Sequence, residues 1–196
     1  MQPDDIAGRL LSGEKIIWTG RPRQGLLLTS RDALLVPFSI LWGGFAIFWE
    51  YSVLFLVRPH RSAAAHAPPA IIFPLFGAGF VLVGLFLMFG RFLLDAQLRK
   101  GTIYAVTDQR VLILRSGPMN KFVSLSLDRL PGITLSEGRN GCGTITFGDS
   151  GSNWARPGFQ IWVPALDAVP RFLNIENARA VFDQIQRLVR PVAKSG

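Results

Sequence analysis

The sequence predicts a membrane-spanning α-helical hairpin joined to a mainly-β barrel or sandwich that a C-terminal α-helix closes. Three observations carry this reading. Two long apolar runs occupy 33–57 and 67–90, the second uncharged and the first interrupted only by Glu50. Beyond residue 100 the apolar residues recur with period two, the repeat of half-buried strands. Near the end the spacing changes again, to the three-and-four repeat of an amphipathic helix.

The N-terminal segment is mixed and polar. Ile16, Ile17 and Trp18, ended by Gly20 and Pro22, read as a short strand. This segment is expected to return and pack on the β domain or on the inner membrane surface. The first span follows: about 20 residues at ~1.5 Å each cross the ~30 Å hydrocarbon core. Pro37 lies near its first turn, where a missing N–H costs little, and Trp42, Trp49 and Tyr51 include interfacial anchors. An ionisable residue in a span is a functional candidate. Glu50, however, sits near the outer end, where it is expected to reach headgroups and be neutralised by Arg58 or Arg61. In the second span Gly77 and Gly84, seven apart, are expected to face the first helix or another copy. Arg21, Arg23, Arg31, Arg91, Arg99 and Lys100 flank the hairpin on one side, against Arg58 and Arg61 in its loop. That bias places both termini in the cytoplasm.

Strands are predicted over 102–107 and 110–115, with Asp108 and Gln109 as a tight turn. Val123, Leu125 and Leu127 alternate with Ser124 and Ser126; further strands fall at 133–136, 144–147 and 159–163. Asn174 is a plausible N-cap, and Ile175, Ala178, Phe182, Ile185 and Val189 form the apolar stripe of a helix that Pro191 stops.

The chain has 196 residues, room for the hairpin and one soluble domain of about 100 residues. Its charge of +8 is concentrated after the hairpin, where residues 91–196 hold 14 Lys/Arg against eight Asp/Glu. The basic residues are scattered singly, with no block or RNA-binding signature, so an anionic membrane surface is the expected counterpart and nucleic acid is not. Lys121, Arg139 and Arg156 are the candidate contacts with lipid or a partner. Cys142 is the lone cysteine, which rules out an intramolecular disulfide and a cysteine zinc site and fits a reducing compartment. The first apolar run begins too late, and is too long, for a cleaved signal peptide to be expected.

Little points to catalysis. Thr107, Asp108 and Arg110 are the most distinctive polar group, read as structural: Asp108 capping the turn and Arg110 pairing with Asp128. The glycine-rich stretch 138–143 lies between strands, so a turn needing positive φ explains it better than a phosphate cradle. Cys142 within it has no base nearby in sequence. His60 and His66 lie in the loop without a carboxylate or thiol partner, a poor metal site. No acid/base pair or triad can be assembled, so no catalytic residue, cofactor or metal is expected.

Three segments carry a family resemblance. They are Tyr104-Ala-Val-Thr-Asp-Gln-Arg-Val-Leu-Ile, Ser126-Leu-Asp-Arg-Leu, and Gly141-Cys-Gly-Thr-Ile-Thr-Phe-Gly148. With the upstream Gly13-Glu-Lys-Ile-Ile-Trp-Thr-Gly-Arg-Pro22, they resemble the bacterial pleckstrin-homology-like (PH-like) domains that accompany two membrane spans. The resemblance covers about half of the chain directly. It implies a bent barrel of about seven strands, capped by the C-terminal helix and without catalytic activity. The organisation expected is a cytoplasmic segment 1–32, spans 33–57 and 68–90 around an external loop 58–67, a PH-like domain 91–191 and a tail 192–196. Eukaryotic relatives bind phosphoinositides through a basic loop, but no compact Lys/Arg cluster matches it here, so that specificity is not carried over. The expected role is a non-enzymatic interaction module tethered to the bacterial plasma membrane, with the bilayer and a protein partner or second copy as its contacts. The alternatives are an anionic-lipid sensor or an accessory subunit of a membrane enzyme or transporter.

Overall fold

The computed structural model describes residues 4–56, 68–117, 119–130, 132–138, 141–148 and 162–189. The chain divides into two units, one formed by Met1–Gly25 with Asp95–Gly196 and the other by Leu26–Leu94.

The second unit is a helical hairpin. Helix α2, Asp32–Tyr51, runs on into a π-helical turn Ser52–Leu56. Helix α3, Pro68–Leu85, continues through a π-helical turn Phe86–Gly90 into α4, Arg91–Lys100. Among the described residues two stretches are long and apolar enough to cross a membrane, Asp32–Phe55 and Ile72–Lys100. Only 22% and 17% of their most apolar windows are buried, so most of this apolar surface faces outward; a soluble core helix would hide it.

The two helices meet through glycine, as the sequence predicts. A Cβ on Gly84 would stand 2.9 Å from the Cα of Gly43, and one on Gly77 would strike the Glu50 carboxylate. Glu50 therefore differs from expectation: its Oε2 is buried against α3, with no hydrogen-bond partner among the described residues. The recess left by Gly77 admits it. Arg58 and Arg61 lie outside the described residues. At the other end of the hairpin, Arg91 Nη1 bonds Asp32 Oδ1 at 2.7 Å with both side chains buried. Asp32 Oδ2 also accepts from the Thr29 N–H and hydroxyl.

Among the described residues the first unit contains seven strands in two antiparallel sheets. After a four-residue helix α1, Asp4–Ala7, strand β1, Ile16–Gly20, forms the edge of a four-stranded sheet in the order β1-β2-β3-β4. Its partners are β2, Thr102–Thr107, β3, Arg110–Arg115, and β4, Lys121–Ser126. The second sheet holds β5, Ile133–Glu137, β6, Gly143–Phe147, and β7, Arg171–Ile175. Helix α5, Ala178–Val189, packs on this second sheet. Gly143 makes room for it, since a Cβ there would lie 2.8 Å from the Ala178 Cβ.

Two expectations change. Among the described residues the two sheets are not joined into a hydrogen-bonded barrel: β4 and β5 are separated by a 3-10 turn, Leu127–Arg129, and are not paired. Among the described residues the last strand is β7, at 171–175, where the sequence reading expected none. Residues 159–161 lie outside the described residues, and Trp162 and Val163 are not in a strand. Asn174 is therefore a strand residue with φ +47°, not an N-cap, and the helix begins at Ala178.

The main core lies between the sheets. Tyr104, Val106, Val111 and Ile113 from one sheet meet Ile145, Phe147 and Phe172 from the other, with Val181 and Ile185 from α5. The Phe172 ring stacks on Tyr104 at 4.6 Å and meets Phe147 edge-on at 5.0 Å. A second cluster covers the outer face of the first sheet, where Ile6 and Leu10 pack on Ile103, Ala105, Leu112 and Leu114. Both faces of β2 are thus covered, and all six of its residues are buried.

Candidate functional site

Two polar constellations organise the β unit. The first joins the N-terminal segment to the β2–β3 hairpin. Glu14 takes a two-pronged bond from Arg110, Nε to Oε1 and Nη2 to Oε2, both 2.8 Å, and accepts the Leu11 N–H at 2.7 Å. The Thr107 hydroxyl accepts from the N–H groups of Gln109 and Arg110 and lies 2.7 Å from Glu14 Oε1. Asp108 Oδ1 accepts from the Lys15 N–H at 3.0 Å. Thr107, Asp108 and Arg110 all take part in these contacts, with partners other than those expected from the sequence. Arg110 reaches Glu14, because β1 returns alongside β2, while Asp128 stands exposed on the 3-10 turn. Asp108 caps the chain entering β1; the cap of its own turn is Thr107. Two of the resembling segments are therefore bonded to each other. The Arg110 hydrogen bonds hold the Glu14 carboxyl down at about 2 against the opposing effect of burial.

The second constellation is a cavity of about 40 Å³ where α4, the first sheet and the segment leading into β7 meet. Its lining includes Arg99, Tyr104, Arg115, Lys121, Asp167 and Arg171. Arg115 ends β3 and Lys121 begins β4, and the hairpin register pairs them directly. Like charges placed opposite each other in a sheet oppose folding. Arg115 is held by two carbonyls, Nε to Met119 O at 3.0 Å and Nη1 to Ala165 O at 2.6 Å. Arg171 pairs with Asp167, and buried Arg99 pairs with Asp95 at 2.7 Å. Arg99 also donates to the carbonyls of Arg23 and Gly25, so the chain leaving β1 is clamped to the chain entering β2. Burial, Arg115 and Arg171 together lower the Lys121 pKa; burial lowers that of Arg115. Burial raises the Tyr104 hydroxyl to about 12, so it stays a donor.

Of the sequence candidates for surface contact, Lys121 thus lies half-buried at this cavity. Arg139 and Arg156 lie outside the described residues, as do His60 and His66. Arg115 and Arg171 escaped the sequence reading. The first was legible, since folding the hairpin about 116–120 puts it opposite Lys121. The second was hidden because the sequence reading placed no strand at 171–175. Cys142 is buried and accepts from Arg23 Nη1 at 3.3 Å, with no base positioned as for a nucleophile among the described residues. No group of metal-ligating side chains occurs among the described residues.

Two antiparallel sheets around one core, with a C-terminal helix packed on the second, define a PH-like fold, a class that serves protein or lipid interaction. The bacterial PH domain family matches residues 34–189, most of the chain including both long helices, and the protein belongs to that family. No curated protein and no solved structure matches it.

Proposed function

We propose that the protein is a non-enzymatic interaction module anchored in the bacterial plasma membrane. The hairpin spans the bilayer, with both termini and the PH-like body in the cytoplasm. The body engages a membrane-proximal protein or a second copy of the chain. The observation that carries this reading is the outward-facing apolar surface of both long helices in a chain with an interaction fold. Confinement to one leaflet raises the local concentration of the body near membrane partners, so a modest contact surface suffices. Among the described residues β1, β4, β5 and β7 stand at sheet edges, which offer backbone groups of the kind that β-augmentation uses.

Two experiments test it. A Ser62→Cys variant in intact cells should react with a membrane-impermeant maleimide; labelling only after lysis would reverse the topology. Crosslinking in native membranes with mass spectrometry should return a discrete partner or a homodimer. A random set of abundant neighbours would refute the module.

A further inference from the structure

We propose that the cavity among Arg115, Lys121 and Arg171 binds a single phosphate monoester group. The inference does not rest on the membrane reading, because every lining residue belongs to the β unit.

Charge is the first argument. Among the described residues, four cations line the cavity: Arg99, Arg115, Lys121 and Arg171. Asp95 answers Arg99 and Asp167 answers Arg171. Arg115 and Lys121 remain without a carboxylate among the described residues, although they are direct cross-strand partners with Cβ atoms about 5 Å apart. Two half-buried like charges at that spacing oppose each other unless an anion lies between them. A phosphate monoester near pH 7 carries about −1.5 to −2, which matches the pair, whereas a diester carries one charge.

Donor geometry is the second argument. The Lys121 ammonium makes no hydrogen bond or ion pair among the described residues. The Tyr104 hydroxyl accepts the Leu173 N–H at 3.1 Å, and its own proton has no acceptor there. Arg115 is pinned by its two carbonyls with one guanidinium nitrogen left over. Three kinds of donor therefore border one cavity. The lowered Lys121 pKa is the expected sign of an ammonium waiting for a counterion.

Size is the third. A water needs roughly 10–15 Å³ by the same measure, so the cavity holds about three waters. One tetrahedral oxyanion fits that space; a polyphosphorylated sugar does not.

The test uses the full chain in phosphatidylcholine nanodiscs, with inorganic phosphate as the probe and thermal unfolding and calorimetry as readouts. Phosphate should raise the wild-type midpoint where chloride at equal ionic strength does not. Lys121→Gln should weaken phosphate binding at least tenfold while its phosphate-free midpoint stays equal to wild type or rises, because a repelled charge has gone. Tyr104→Phe should weaken binding without abolishing it. The source of the phosphate is read by changing the lipid. If the headgroup supplies it, phosphatidic acid raises the midpoint through Lys121 and cancels the response to free phosphate. If free phosphate is the ligand, the response is the same in every lipid. The proposal is overturned if neither probe shifts the wild type. It is equally overturned if phosphatidylglycerol acts as strongly as phosphatidic acid on both wild type and Lys121→Gln, which is diffuse charge attraction.

Discussion

Glu14 anchors the N-terminal segment with one carboxylate that meets Arg110, Thr107 and the Leu11 N–H at once. Because its side chain is fully buried, removing the charge strands a guanidinium as well as losing bonds. Glu14→Gln is expected to cost about 2 kcal/mol, the scale of charge-assisted hydrogen bonds, measured by chemical denaturation. The effect depends on pH. The unfolded chain protonates this carboxyl as pH falls through about 4.5, whereas the folded chain keeps it ionised down to about 2. The stabilisation is therefore complete above pH ~4.5 and is lost on descent toward 2. The stability gap between wild type and Glu14→Gln should accordingly be widest near neutrality and narrow in acid; a gap independent of pH would contradict the ion pair. Arg99 makes a second point at this scale. It is 2% exposed and bound to Asp95 and two carbonyls, so Arg99→Ala should destabilise by about 3–5 kcal/mol, because Asp95 stays buried and unpaired.

Within the hairpin, the glycines separate into those that are in contact and those that are not. Gly84 faces the Gly43 backbone, whereas Gly79 has nothing within 4 Å of its would-be Cβ. Gly84→Leu should therefore lower the thermal midpoint of the detergent-solubilised protein, and Gly79→Leu should leave it unchanged. Gly77 and Gly84 were legible from spacing alone, since close helix approach needs small residues wherever two apolar helices pair. The β2–β3 hairpin and the Val123/Leu125 alternation were equally plain, because local turn chemistry and period-two burial fix them. What escaped were contacts made over long separation. Nothing near Arg110 distinguishes Glu14 from Asp128 as its partner; the choice depends on where β1 pairs. Strand β7 was obscured because Asn174 reads as a cap, yet here it takes φ +47° beside a buried Ile175. The basic cavity was invisible as a cluster, since its residues come from α4, β3, β4 and β7.

At the scale of the whole molecule, the hairpin interrupts a single sheet: β1 precedes it, and β2, its partner, follows. A fragment of residues 95–196 alone should therefore fail to unfold cooperatively, because β2 loses its neighbour and the cover over Ile103 and Leu112 goes with Ile6. Residues 1–25 joined to 95–196 by a short linker should restore a single transition in circular dichroism. Arg99 already holds residues 23–25 beside α4, so a short linker suffices. The same interruption has a consequence for synthesis, given the proposed insertion. At roughly 5–20 residues per second, β1 leaves the ribosome about 4 to 17 seconds before β2. The sheet can be completed only after both apolar helices have been delivered. A chain whose hairpin is mishandled leaves β2 with an open edge and the apolar face of its sheet uncovered, features that aggregate or attract proteases. Under the proposed insertion, the pairing of these two strands, made at different times, therefore records that both helices were delivered.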